Sequence, residues 1–245
     1  MSTKKWPKKF APLTQQQEKI SNDFMQYWHE HLAGDKQYSF IEKFNHGYPI
    51  KKSNNFKTTL EIGAGLGEHL NYEKLNDTQK RNYTALELRQ NMADQLKNYH
   101  PEINVQVGDC QEKSSFIDEH FDRIIAIHVL EHLPNLPAAI QEIYRLCNKT
   151  SGQFLVVIPC EGGFAYSLAR KISAERLFKK RYKMPYKWFI EREHVNTPAE
   201  IIEELNHYFE IVNCEYYPFK YLPFVFCNLV MGLSLKPKLK LNFNN

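Results

Sequence analysis

Apolar positions change period along the chain, and the change marks its organisation. From Thr14 to Leu32 they recur at three- and four-residue steps, with Ile20, Phe24, Tyr27, Trp28 and His31 on one face. That spacing predicts an amphipathic helix, ended by Gly34. A second short helix is expected over Tyr38–Phe44, closed by Gly47 and Pro49. Then short β-rich runs take over, at Phe56–Ile62, Asn82–Leu86, Ile103–Val107, Phe121–Ile127 and Phe154–Ile158. Stretches with helical spacing separate them, at Glu68–Leu75, Arg89–Tyr99 and Pro137–Cys147. Strands alternating with helices predict a parallel sheet covered on both faces. The continuous apolar runs Ile124–Ile127 and Leu155–Ile158 fit central strands buried on both sides.

The alternation stops after Pro159. Residues Glu161–Glu193 form a basic and aromatic insert, with Arg170, Lys171, Arg176, Lys179, Lys180, Arg181, Lys183, Lys187 and Arg192 among Phe178, Tyr182, Tyr186, Trp188 and Phe189. Thr197-Pro198-Ala199-Glu200 then offers Thr at the N-cap, Pro at N1 and Glu at N3, a capping box. Phe209–Tyr217 and Phe226–Leu235 read as two last strands. The link Pro218–Pro223 suits a hairpin and is too short for a crossover.

Composition narrows the class. The 245 residues are 42% hydrophobic and 24% charged, as expected of a globular chain with a real core. A net charge of +4 is too small to imply nucleic acid by itself. Five cysteines (Cys110, Cys147, Cys160, Cys214, Cys227) are an odd number without zinc-finger spacing, so reduced thiols and a cytoplasmic setting are expected. The basic stretch Met1–Phe10 has no apolar run behind it and is not a secretory signal. The longest apolar stretch, Tyr221–Leu233, is too short to span a bilayer and carries Asn228. A soluble protein is expected.

The chemistry centres on Glu61-Ile62-Gly63-Ala64-Gly65-Leu66-Gly67, straight after a predicted strand. Glycines at alternate positions permit a tight turn and close approach to a ligand. In doubly wound sheets ligands bind at the carboxyl ends of the strands. The dinucleotide fingerprint G-x-G-x-x-G is not met, because its third glycine position is Glu68, a carboxylate that would face phosphate. No P-loop lysine is present. An acid followed by x-G-x-G-x-G resembles the class I methyltransferase motif, and the resemblance runs over about residues 56–160. Phe121-Asp122-Arg123-Ile124-Ile125-Ala126-Ile127-His128-Val129-Leu130-Glu131-His132-Leu133 resembles the fourth-strand motif of the type 11 small-molecule group. The residues around Ile158-Pro159-Cys160-Glu161-Gly162-Gly163 resemble a bacterial subgroup of uncertain substrate.

The resemblance implies a Rossmann-like, doubly wound, mostly parallel seven-stranded sheet with a C-terminal antiparallel hairpin, N-terminal helices and a lid insert. A single domain is expected. Residues 1–50 would form an N-terminal helical segment and 51–160 the cofactor-binding core. Residues 161–196 would form the lid, and 197–245 the last helix and hairpin. The implied cofactor is S-adenosyl-L-methionine, giving S-adenosyl-L-homocysteine. Its expected site is Glu61, Gly63, Ala64, Gly65 and Gly67 of the loop, Glu87 and Leu88 after the second strand, Asp109 and Cys110 after the third, and His128 after the fourth. Glu87 would take the ribose hydroxyls and Asp109 the adenine amino group.

Methyl transfer needs alignment and exclusion of water, and a base only when the acceptor is a hydroxyl. His194, in Arg192-Glu193-His194-Val195-Asn196, is the first candidate to act on the acceptor, and His132 the second. No aspartate-rich cluster suggests a metal, and none is expected. The acceptor is expected to be an oxygen of a small molecule. The basic insert suggests an anionic or glycan-related one, and the same composition would also suit a membrane surface. A nucleic-acid acceptor is disfavoured because His128-Val129-Leu130-Glu131 replaces the Asn/Asp-Pro-Pro-aromatic of base-amino enzymes. Two rival functions are a nicotinamide oxidoreductase, which lacks a Tyr-x-x-x-Lys pair here, and a non-catalytic cofactor-binding module.

Overall fold

The structure is a computed structural model, and it describes residues 5–31, 39–53 and 55–239. Seven strands form one sheet in the order β3-β2-β1-β4-β5-β7-β6. They are β1 (Thr59–Ile62), β2 (Tyr83–Glu87), β3 (Asn104–Val107), β4 (Arg123–Ile127), β5 (Gln153–Pro159), β6 (Phe209–Tyr217) and β7 (Val230–Pro237). The first five are parallel; β7 runs antiparallel to β5, and β6 antiparallel to β7. This is the mostly parallel sheet with an antiparallel end that the sequence predicts. Strand β5 is buried along its whole length and β4 as far as Ala126, which is why Leu155–Ile158 and Ile124–Ile127 read as unbroken apolar runs.

Helices cover both faces. On one, Leu60, Ile62, Ile124, Phe154 and Val156 pack against α5 (Leu136–Leu146) and α9 (Pro198–Tyr208). The buried stripe of α5, Leu136, Ala139, Ile140, Ile143 and Leu146, follows the helical period. On the other face, α4 (Gln90–Tyr99) buries Leu96 against Tyr83 and Ala85. There too α2 (Ser39–Lys52) lays Tyr48 on Val157 and Val230. Gly232 of β7 makes room for that ring, since a Cβ there would lie 2.5 Å from it.

The insert is three helices, α6 (Phe164–Ile172), α7 (Ala174–Tyr182) and α8 (Lys187–Glu193). Helices α7 and α8, with Tyr186 before α8, and α1 (Gln15–His31) make a separate small core of Ile20, Phe24, Ala174, Phe178, Tyr186 and Phe189. Phe24 meets Phe178 and Phe189 edge-to-face at 5.1 and 5.2 Å. Most of the insert's aromatic residues are thus spent on packing. The Trp28 and His31 side chains of the expected α1 face lie outside the described residues.

Four expectations are corrected. Helix α2 does not close at Gly47 but continues through Pro49 to Lys52, because burial of Asn45, His46, Tyr48 and Pro49 on the sheet outweighs local propensity. Residues 68–75 are not one helix. A 3-10 turn covers Glu68–Asn71, and α3 (Asp77–Arg81) begins later behind an Asn76–Gln79 capping box. Strand β1 starts at Thr59 rather than Phe56. Strand β7 starts at Val230, and Val225–Cys227 is a 3-10 turn whose apolar residues mimic a strand. No helix among the described residues is long and apolar enough to cross a membrane.

Candidate functional site

Strands β1 and β4 are neighbours, and their connections leave in opposite directions across the sheet, β1 toward β2 and β4 toward β5. A crevice opens at such a point, at the carboxyl ends. The loop after β1 enters it with Gly63, Gly65 and Gly67 all left-handed, at φ +65, +59 and +88. That region costs other residues about 1–2 kcal/mol. A Cβ on Gly63 would also lie 2.6 Å from Val129 in the loop after β4, so the two loops touch across the crevice.

Glu87 at the end of β2 holds this loop. Its carboxylate accepts from Gly65 N–H at 3.0 Å and from Arg89 N–H and Nε. Leu88 beside it is 62% exposed, free to flank a flat ligand. Asp109 accepts from the backbone and side-chain nitrogens of Gln111, whose own carbonyl takes Asn135 N–H. Cys110 is buried in the core, where burial pushes its thiol up to about 12. Glu61 is not gathered with these groups. Its carboxyl turns to the Tyr83 hydroxyl at 2.8 Å, both buried, and burial raises it to about 8. It underpins the loop instead of facing the crevice. Nearby, the buried guanidinium of Arg123 binds Glu73, Thr59 Oγ1 and Ser53 Oγ.

The other wall follows β4. His128 adopts φ +53, and its Nδ1 lies 3.1 Å from Glu131 Oε1. Burial by itself would raise the Glu131 carboxyl, but the bond to His128 and the nearby His132 and His194 hold it down to about 2. The Glu131 carbonyl accepts Val195 N–H and Asn196 N–H, which ties the segment after α8 to this loop. Asn196 Nδ2 clamps the carbonyls of Leu130 and Leu133. His132 and His194 thereby meet, ring centres 5.1 Å apart. His132 donates from Nδ1 to the Glu193 carbonyl at 2.6 Å, and His194 Nδ1 lies 2.8 Å from Glu161 Oε2. Arg170 holds Glu161 from the other side. Glu131 and Glu161 were missed in the sequence reading. Glu131 had a signal, being an acid among apolar residues directly after a buried strand; Glu161 had none.

This strand order is shared with solved SAM-dependent methyltransferases. Residues 60–156 match the model of the family described as a methyltransferase domain. Solved structures share the fold. One is PH0226 from Pyrococcus horikoshii OT3, with TM-score 0.60 and 16% identity over 87% of this chain and 99% of that one. Another is a TehB-like SAM-dependent methyltransferase from Corynebacterium glutamicum, with TM-score 0.57 and 18% identity over 90% and 100%. A third is a SAM-dependent methyltransferase from Thermotoga maritima described as a possible histamine N-methyltransferase, with TM-score 0.57 and 15% identity over 88% and 100%. No curated protein matches the chain. Residues 60–156 thus match a methyltransferase domain, and the fold around them is one shared with solved SAM-dependent methyltransferases.

Proposed function

We propose that the enzyme methylates an oxygen of a small molecule seated against His132 and His194. The observation that carries this is the orientation of the two imidazoles. Each has Nδ1 engaged with a protein acceptor, which leaves both Nε2 atoms for another partner. They lie after β4 and beside the residues that follow β5, at the ligand edge of the sheet. The bound cofactor supplies an electrophilic methyl on a sulfonium leaving group. The chain's own residues do the rest. Gly63, Ala64, Gly65 and Gly67 give the donor room to lie on bare backbone. Glu87 and Leu88 would hold its ribose, Asp109 and Cys110 its adenine, and His128 its methionine part. The helical insert covers the acceptor side and excludes water.

The insert's charge gives less support to an anionic acceptor than its sequence suggests. Arg170, Lys179, Arg181 and Lys187 are paired with Glu161, Glu175, Asp23 and Glu191. We therefore place the specificity in the histidine pair and leave the acceptor at a hydroxyl or carboxylate of a small molecule. The unpaired cysteines support a reducing, cytoplasmic location.

The test is turnover of radiolabelled S-adenosylmethionine on a panel of hydroxyl- and carboxylate-bearing small molecules. With any acceptor found, His194→Ala is expected to lower the maximal rate about 10²-fold. S-adenosylhomocysteine affinity by calorimetry should stay unchanged. A variant with the wild-type rate at saturation would assign His194 to structure.

A further inference from the structure

Glu131, His132 and His194 bring one carboxylate and two imidazoles together, with their donor atoms all within 4.8 Å of one another. We propose that they bind a divalent transition metal, through Nε2 of both histidines and the Glu131 carboxylate, and that this metal receives the acceptor oxygen.

Three observations point the same way. First, both imidazoles are fixed as metal-ligating histidines are, with Nδ1 held by an outer acceptor. His132 rests on the Glu193 carbonyl, and His194 on Glu161, which Arg170 braces in turn. Such outer partners set the tautomer that frees Nε2. Second, Glu131 is fully buried, and while Oε1 meets His128, Oε2 has no hydrogen-bond partner. An orphaned carboxylate oxygen in the interior is costly unless a ligand satisfies it. Third, the set is built on constrained backbone. Glu131 and His132 lie in the 3-10 turn after β4, and the Glu131 carbonyl is bonded to the segment that carries His194.

Metal bonds of roughly 2.0–2.2 Å require ligand atoms about 3.4 Å apart in a tetrahedron, so side-chain rotation of about 1 Å closes the site. Two neutral nitrogens and one carboxylate suit Zn²⁺, Co²⁺, Ni²⁺ or Fe²⁺ better than Mg²⁺ or Ca²⁺. Three protein ligands leave a position for the acceptor. There the metal lowers the pKa of the hydroxyl, whose proton passes to solvent. The oxygen then forms its bond to the methyl carbon as the carbon–sulfur bond breaks. That electron pair leaves on sulfur as a neutral thioether. The histidines thus act on the acceptor through the metal and do not take its proton. Binding of the metal stands on its own geometry, whereas its role toward the acceptor rests on the function proposed above.

The experiment uses the full chain, freed of metal with EDTA and then of EDTA, without cofactor. Zn²⁺ is titrated by calorimetry, and Co²⁺ by its visible absorption in a nitrogen–oxygen site. Stoichiometric binding is expected, weakened about tenfold in Glu161→Gln and at least about 100-fold in His194→Ala and Glu131→Gln. His194 lies nearer the surface than Glu131, so His194→Ala keeps the test alive should Glu131→Gln fail to fold by circular dichroism. No wild-type binding, or equal binding by a folded His194→Ala, overturns the site. The two readings separate in the methyl-transfer assay. Turnover that survives EDTA yet falls in His194→Ala keeps the proposed function and discards the metal. Metal binding without turnover on any oxygen acceptor does the reverse.

Discussion

The two walls of the crevice are built differently. The cofactor wall is made from side chains acting close to home. Asp109 is held by a residue two positions away, and Glu87 by its neighbour Arg89 and by Gly65, 22 positions back. The acceptor wall is assembled from a distance, with His132 bonded 61 positions away and His194 33. Short-range restraints need only the local turn to form, so the first wall tolerates change around it. The second exists only when the insert, the loop after β4 and the segment before α9 have all docked. The comparison predicts that lesions beneath the sheet cost stability, lesions in the loop cost cofactor, and lesions in the insert cost turnover alone.

The largest effect is expected beneath both walls. Arg123→Met would leave Glu73 buried without its guanidinium and destabilise the fold by about 3–5 kcal/mol, read as a shift in the urea midpoint. A near-neutral result would mean water reaches Glu73. The same pair sets an acid limit. Burial opposes the Glu73 charge, but His69 and Arg123 hold its carboxyl down to about 2, below the ordinary value of 4.5. The folded form therefore binds the proton less tightly than the unfolded chain. The stability this provides is complete above pH 4.5 and lost as pH falls toward 2. Glu73→Gln should flatten that part of the stability–pH curve.

Next comes Gly65→Val. A Cβ there would stand 2.7 Å from Glu68 Oε2, on a backbone at φ +59. S-adenosylhomocysteine affinity should fall more than about tenfold, given strain of about 1–2 kcal/mol before any clash with the ligand. Unchanged affinity by calorimetry would remove the loop from the site. Glu87→Ala should weaken the same affinity by about tenfold, since charge-assisted bonds contribute about 1.5–3 kcal/mol. Turnover at saturating cofactor should survive it. The smallest effect is expected of Lys8→Ala. That ammonium ties the Val195 carbonyl to Glu200 at the base of the acceptor wall. About 1 kcal/mol or less should be lost. A larger drop in rate than in stability would show that this strut positions His194.

The same contrast explains what the sequence made legible. The alternation of periods was enough for the sheet, and enough to put the glycine loop, Glu87 and Asp109 at the ends of three successive strands, where the structure has them. The pairing of His194 with His132 was not legible, because nothing local to Glu193 or Glu161 marks either as its partner. The insert reads from the sequence as a lid, but nothing local shows that Phe178, Tyr186 and Phe189 within it are core against Phe24. Residue type alone cannot tell a pocket lining from a core when a distant helix supplies the other half. Pro49 misled for a related reason, since a proline ends a helix only where packing does not hold it.

Strand β7 sits between β5 and β6 although it follows both in the chain. Strand β6 pairs with β7 alone, so the two can form as a hairpin before either meets the rest of the sheet. The sheet then closes when that hairpin docks its β7 edge on β5. Such a step pays loop-closure entropy before any ladder bonds return it. Until it happens, Val156 and Ile158 present an open edge beside the acceptor wall, a surface on which a second unfinished chain can add a strand. The protein's vulnerability to aggregation should thus peak before this docking step, and variants that slow it, such as Gly232→Val against Tyr48, should lower refolding yield more at high than at low protein concentration.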